Sequence, residues 1–396
     1  MNFVFISPNY PDTYWMFCRG LKKYGAKVLA IVDTPYNSLQ PELKAHCDEC
    51  YVVSSFHNYD EMVRALGYFT FKYGKIDWIE SNNEAWLTLD ARLRDNFNVK
   101  TGFSFSQIDE FQSKAAMKKY YESVGIPTAR YLLVDSLESA LDFAHKVGYP
   151  LVLKPDHGVG ASFTYKLQSD EDLRHYYNQT MQYHMILEEY IDGTVFTLDG
   201  LCDGNSNIRF LSSMEYIGSC MDSVNNQLSM ASYTTLEISD EYRQLAQKTI
   251  KAFKLKNRFF HCEFFRLNKD IEGLGPKGFV LGLEVNFRPP GGICPDLMNY
   301  ACDIDVYDLW AQLLLTQNCP DIINKPYSAG FAGRRDSIHY KYSIEKLQNE
   351  FKDDIIYVKH LPKAFAAAMG DELIVARWKT KENRDAFYQK ALMIEN

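Results

Sequence analysis

Phe279-Val280-Leu281-Gly282-Leu283-Glu284-Val285-Asn286-Phe287-Arg288 is the stretch whose reading decides the fold. Side chains of a strand alternate between its two faces. A regular strand here puts Phe279, Leu281, Leu283, Val285 and Phe287 on one oily face. Val280, Gly282, Glu284, Asn286 and Arg288 share the other, where a carboxylate, an amide and a guanidinium stand in a row. Pro289-Pro290-Gly291-Gly292 then breaks the strand. Upstream, Phe259–Leu267 reads as a second strand with Glu263 at its centre, sharing a face with Phe259, His261, Phe265 and Leu267. A carboxylate among such neighbours loses hydration and needs a cation. Gly273, Gly275, Pro276 and Gly278 make the turn between the strands. The result is a predicted hairpin that brings Glu263 close to Glu284. With the Asn286 amide oxygen these carboxylates form a hard-oxygen set suited to Mg²⁺ (or Mn²⁺) held partly by phosphates. A plain ion pair between Glu284 and Arg288 fits the same residues.

Further upstream, Leu151–Lys154 is an apolar strand ending in a lysine, followed by Pro155-Asp156-His157-Gly158-Val159-Gly160-Ala161-Ser162 and a second strand, Phe163–Leu167. Glycines let backbone N–H groups approach phosphate oxygens, and the lysine adds a fixed charge. No Gly-Lys-Ser/Thr opens a helix, so this is not the common P-loop, and a plain hairpin turn remains the alternative. Met185–Glu189 is a strand ending in Glu188-Glu189, followed by Tyr190-Ile191-Asp192-Gly193. Backbone here could meet an adenine edge, and a plain polar strand end is the alternative. Lys114 opens a helix over Ser113–Val124 that stops at Gly125-Ile126-Pro127.

The first hundred residues alternate strand and helix. Phe3–Ser7, Lys27–Asp33, Cys50–Ser54 and Ile76–Glu80 read as strands; Tyr14–Tyr24, Tyr59–Tyr73 and Glu84–Asn96 read as helices. That pattern predicts a doubly wound parallel sheet. The turn after the first strand, Ser7-Pro8-Asn9-Tyr10-Pro11-Asp12, contains no glycine, which argues against a dinucleotide fingerprint. Ser81-Asn82-Asn83-Glu84 sits where such sheets place ligands and reads equally as a helix cap.

The chain has 396 residues, 46% hydrophobic and 24% charged, with a net charge of -8. That length suggests two or three domains. Without a basic block, neither nucleic acid nor a membrane surface is an expected partner. No signal peptide or membrane-spanning run is evident, and nine scattered cysteines fit a reducing cytoplasm. Cys47-Asp-Glu-Cys50 has metal-site spacing without a second ligand pair, so two incidental thiols are the plainer reading.

The Lys114 helix, the Lys154 strand with its glycine loop, Glu188-Glu189-Tyr190-Ile191, and Glu263 with Glu284–Arg288, in that chain order, resemble the ATP-grasp superfamily, in particular its carboxylate–amine (amino-acid) ligase branch, across residues 110–292. The resemblance implies an N-terminal α/β domain (1–108) and an ATP-grasp domain (109–300, divided at 192/193). A C-terminal α+β region (301–396) completes the fold. It implies ATP phosphates on Lys114 and Lys154, a closing loop over His157, Gly158, Gly160, Ala161 and Ser162, and adenine beside Glu188, Glu189, Tyr190 and Ile191. Glu263, Glu284 and Asn286 would bind the metal, and Arg288 with Lys154 would act in catalysis, Arg288 also meeting the substrate carboxylate. Glu215 and His261 are further candidates for substrate contact. The expected activity is ATP-dependent joining of a small-molecule carboxylate to an amine through an acyl phosphate. An ATP-grasp kinase or carboxylating enzyme, or a nucleotide-binding protein without catalysis, stands as the alternative. One departure is Val195, where the family usually carries a ribose-binding glutamate; Asp199 is the substitute considered. A polar segment, 218–232, is a second lid candidate. Oligomeric state stays open, although homodimers are usual in the family.

Overall fold

The computed structural model describes residues 1–158, 163–180, 184–218, 227–320, 325–363, 366 and 369–395. Among them the strands form three sheets. The first contains β1 (Asn2–Ile6), β2 (Lys27–Val32), β3 (Glu49–Val52) and β4 (Trp78–Glu80), all parallel in the order β3-β2-β1-β4. Parallel strands are covered on both faces and so read as continuous apolar runs. Phe3 and Phe5 pack on one side against Phe17 and Trp310, while Val4 and Ile6 pack on the other against the helix Tyr59–Tyr73. The sequence placed each of these strands to within a few residues.

The second sheet holds β5 (Tyr131–Leu133), β6 (Leu151–Pro155), β7 (Tyr165–Leu167) and β8 (Met185–Glu189), ordered β5-β8-β6-β7. Helices Leu137–Val147 and Asp170–Thr180 accompany it. The third sheet has eight strands: β9 (Gly193–Cys202), β10 (Ile208–Ile217), β11 (Met230–Thr234), β12 (Arg258–Leu267), β13 (Val280–Asn286), β14 (Ser328–Arg334), β15 (Ile355–His360) and β16 (Glu372–Trp378). Their order is β13-β12-β9-β10-β11-β14-β16-β15. The last ninety residues therefore extend the sheet that carries β12 and β13. They also return to the first sheet, because Trp310, on the helix Val306–Thr316, lies edge-on to Phe3, Phe5 and Phe17. Removing that buried indole would cost about 3–5 kcal/mol.

The hairpin forms as expected, with Glu263 directly opposite Glu284 and His261 opposite Asn286. The strict alternation expected along 279–288 does not hold. The register shifts between Glu263 and Phe264, where Phe264 pairs with Gly282 and Leu283 becomes the extra residue of a β-bulge. A bulge inverts the parity of everything on one side of it. Val285 and Phe287 pack into one core together with Val280, while Leu281 belongs to a separate cluster with Ala129 and Ile191. Gly282 likewise turns toward Tyr121, whose ring lies 2.6 Å from where a Cβ would sit. Only the half after the bulge, Glu284 and Asn286, keeps its predicted face.

Candidate active site

Three elements bring the charged residues together. Helix Lys114–Ser123 is capped by the Ser113 side chain, which accepts from the Ala116 N–H. The Lys114 side chain is buried, and its Nζ donates to Gly158 O at 2.8 Å. Its backbone N–H donates to Asp156 O at 3.0 Å. The resulting clamp ties the helix start to the segment after β6. Lys154, near the end of β6, pairs through Nζ with Glu188 Oε2 at 2.9 Å; β6 and β8 are antiparallel neighbours, with Val152 opposite Glu188. His157 lies at the same end, its ring nitrogens near Asp156 and Asp109 O. Gly160, Ala161 and Ser162 fall outside the described residues, as does 219–226 of the second lid candidate.

Glu188 and Glu189 face different partners. Glu188 is 4% exposed and sits between Lys154 and Lys118, the latter at 3.2 Å. Burial works to raise its carboxyl, but the two ammonium groups prevail and hold it down at about 2. Glu189 accepts two 2.6 Å bonds from Arg130, and its backbone N–H donates to Arg130 O at 2.9 Å. An adenine edge at this strand end would therefore meet the Glu189 carbonyl rather than its N–H. Tyr190 lies under the Lys166 ammonium, 3.8 Å from its ring centre, and Ile191 packs against Ala129 and Leu281.

On the third sheet, Glu263 accepts from His261 Nε2 at 3.0 Å, and His261 Nδ1 meets Asp199 Oδ1 at 2.6 Å. Burial alone would lower the His261 pKa, yet Asp199 and Glu263 raise it to about 9. The imidazolium has both nitrogens engaged, so His261 orients Glu263 and leaves neither nitrogen for a substrate. Burial would raise Glu263, but His261, then Arg288 and Lys154, hold it below the usual carboxylate range. Glu284 is pushed up by burial and by Glu263, with Lys114 and Lys154 opposing. Neither Glu284 nor Asn286 makes a side-chain hydrogen bond or ion pair to any described residue. Arg288 pairs with Glu84, Nε to Oε2 at 3.0 Å, in place of the expected alternative with Glu284. In the Ser81–Glu84 loop the cap reading holds, since Asn83 caps the next turn, and Glu84 pairs with the Arg288 guanidinium.

Two expectations fail on parity and burial. Glu215 pairs with Phe196 and Tyr233, and Phe196 lies in the core on the reverse of the sheet. Its carboxylate accepts from Tyr233 OH at 2.6 Å, away from the face of Glu263. Asp199, considered for ribose, is 1% exposed and bonded to His261 and Thr197. Sequence reading missed Lys118 and Lys325. Lys118 follows Lys114 by four positions, so it shares that helix face; this spacing was the available signal. Lys325 donates to Ser212 Oγ at 3.0 Å and is lowered by burial to about 8; nothing local marked it. Cys47, beside Cys18 and Cys50, stays a thiol raised by its Cys18 hydrogen bond, with burial adding to it. An open groove of about 260 Å³ near Ile126, Lys248 and Phe279 carries none of the site groups.

Residues 112–260 match the ATP-grasp (A) domain of phosphoribosylglycinamide synthetase. The chain is 23% identical to the carbamoyl phosphate synthase large chain of Clostridium acetobutylicum over 184 residues, 45% of this chain. The match spans 17% of that relative's length. Over 100% of this chain and 99% of the other, the structure superposes on L-amino acid ligase from Bacillus licheniformis with a TM-score of 0.73 at 16% identity. The biotin carboxylase domain dimer of Hydrogenobacter thermophilus 2-oxoglutarate carboxylase, solved with MgADP, ADP and bicarbonate, gives 0.69 at 16% identity, covering 99% and 90%. Fold and domain match together define the class this chain is similar to, the ATP-grasp superfamily, whose domain model matches residues 112–260. Within it the likeness is to the carboxylate–amine ligase-like members. Among the described residues no helix is long and apolar enough to cross a membrane.

Proposed function

We propose that the protein is an ATP-dependent carboxylate–amine ligase. The observation that carries this reading is the juxtaposition of Glu263 and Glu284 on adjacent strands, with the Glu284 carboxylate and Asn286 amide left unpartnered among the described residues. Among the described residues no three His, Cys, Asp or Glu side chains form a metal cluster by themselves. Two carboxylates and one amide oxygen nevertheless suit a hard cation completed by phosphate oxygens. Glu263, Glu284 and Asn286 would hold Mg²⁺, which when bound neutralises charge on the transferring phosphoryl group. In this reading residues 109–300 form the catalytic unit, 1–108 the preceding domain, and 301–396 complete it.

A carboxylate is a poor acyl donor because its oxygen leaves badly. Attack of that oxygen on the γ-phosphorus breaks the bond to the β-phosphate, giving an acyl phosphate and ADP. The amine nitrogen then attacks the acyl carbon, inorganic phosphate departs, and the nitrogen loses its proton. Phosphoryl transfer needs charge neutralisation more than a nucleophilic side chain. Lys114 and Lys154 would orient the phosphates, and the segment at His157 and Gly158 would cover them and exclude water. Arg288, held by Glu84 in this structure, would take the substrate carboxylate. The test is ADP release with Mg²⁺ over amino acids, singly and in pairs, with amide product read by mass. Release that requires an acid and an amine supports the ligase. Likeness to the bicarbonate-bound carboxylase domain favours a second reading, and bicarbonate-dependent release without amide would establish it.

A further inference from the structure

Lys118 lies one turn beyond Lys114 on the same helix and is 1% exposed. Its Nζ stands 3.2 Å from Glu188 Oε1, while Lys154 Nζ stands 2.9 Å from Oε2. The first contact is an ion pair rather than a directed hydrogen bond, since Oε1 has no partner of hydrogen-bond geometry among the described residues. Around Glu188, Lys118 meets the Ala129 carbonyl at 3.5 Å and the Tyr131 ring at 5.4 Å. Burial pushes its ammonium down, and the charge of Glu188 works against that. Two buried cations thus share one buried anion.

The two lysines are not equivalent. The Lys154 side chain is 12% exposed against 1% for Lys118, and its charge reaches Glu284 and Glu263 as well as Glu188. Lys154 faces the site, and Lys118 is sealed behind it. If Lys154 turns to a phosphate, it leaves Glu188. A buried carboxylate stripped of its only cation is strongly unfavourable, so if Lys154 were the sole cation on Glu188 it would stay where it is. With Lys118 on the other oxygen, the carboxylate remains compensated throughout.

We infer that Lys118 is a positioning residue that keeps Glu188 neutralised so that Lys154 is free to engage the phosphates of ATP. The inference rests on the assignment of Lys154 to those phosphates. It explains why a second lysine is buried where one would close the ion pair.

The test measures Mg-ATP affinity by equilibrium binding on the full chain for Lys118→Met, Glu188→Gln, the double variant and Lys118→Arg, with thermal melting alongside. Lys118→Met should weaken ATP about tenfold, within the usual range of coupling between sites. Lys118→Arg should bind nearly as the wild type. The double variant should recover most of the loss, because no carboxylate remains to retain Lys154. A merely structural Lys118 would give losses that add, and additive losses overturn the inference, as does unchanged affinity in Lys118→Met. Should Lys118→Met fail to fold, Glu188→Gln is compared with the double variant. Equal affinity there supports the inference, and a further drop overturns it. A Lys154→Met variant that binds Mg-ATP like the wild type would instead remove the phosphate assignment itself.

Discussion

The lysine side and the carboxylate side of the site differ in more than sign. On the lysine side every charge is already answered within the protein: Lys154 and Lys118 by Glu188, and Lys114 by the Gly158 carbonyl. On the carboxylate side Glu263 is answered by His261, but Glu284 and Asn286 have no side-chain partner among the described residues. The difference teaches where a ligand must do electrostatic work. Phosphates would compete with protein partners for the lysines, whereas a divalent cation would meet two open oxygen donors. The second-sheet cluster should therefore contribute to stability and the third-sheet pair should not, so the same kind of substitution should have opposite consequences in the two places.

The largest effect expected is on turnover. Glu284→Gln should lower ATP-dependent ADP release by at least about a hundredfold while the melting temperature stays within a few degrees. A strongly destabilised variant would break the comparison, because it would mean that Glu284 is a structural partner. Glu188→Ala should do the reverse and destabilise the fold by about 3–5 kcal/mol in urea melts, by leaving two ammonium groups buried without an anion. The pH dependence sharpens this. The Glu188 carboxyl lies at about 2 in the folded protein against 4.5 ordinarily, chiefly because Lys118 and Lys154 overcome burial. A depressed carboxyl adds stability above its unfolded pKa, and that share is lost as pH falls through the folded one. The stability gap between wild type and Glu188→Gln should therefore be full above about pH 5 and narrow toward pH 2. The smallest effect is expected from Glu215→Gln. It lies on the reverse of the sheet, so ADP release should change less than about twofold and stability by about 1 kcal/mol through Tyr233. A large loss of turnover would place Glu215 back in the site.

Much of the architecture was legible because each local signal agreed with the global one. The apolar runs at Val4, Leu29 and Ile79, alternating with helical stretches, read as buried parallel strands, and Gly125-Ile126-Pro127 read as a helix stop. The pairing of Glu263 with Glu284 followed from one turn and two strands. The site was less legible wherever a single residue changes parity. The bulge at Leu283 leaves no mark in composition, yet it reverses Val280, Leu281 and Gly282. Glu215 failed for the same kind of reason, since its face depends on which residue of β9 it opposes. Asp199 and His261 looked available because sequence shows residue types but not which partners they have already taken.

By itself the sequence determined the strands and helices, the order of the charged motifs along them, and the superfamily those motifs resemble. The elements follow from periodicity, glycine and proline punctuation, and spacing, all of which act within a few residues, and the superfamily from the resemblance of the ordered motifs. Tertiary structure alone decided that Lys118 stands behind Lys154, that Glu84 reaches Arg288, and that Glu284 and Asn286 find no partner among the described residues. Such facts depend on contacts between residues far apart in the chain, where burial converts a modest ion pair into a strong constraint and one residue of register selects which face a charge occupies.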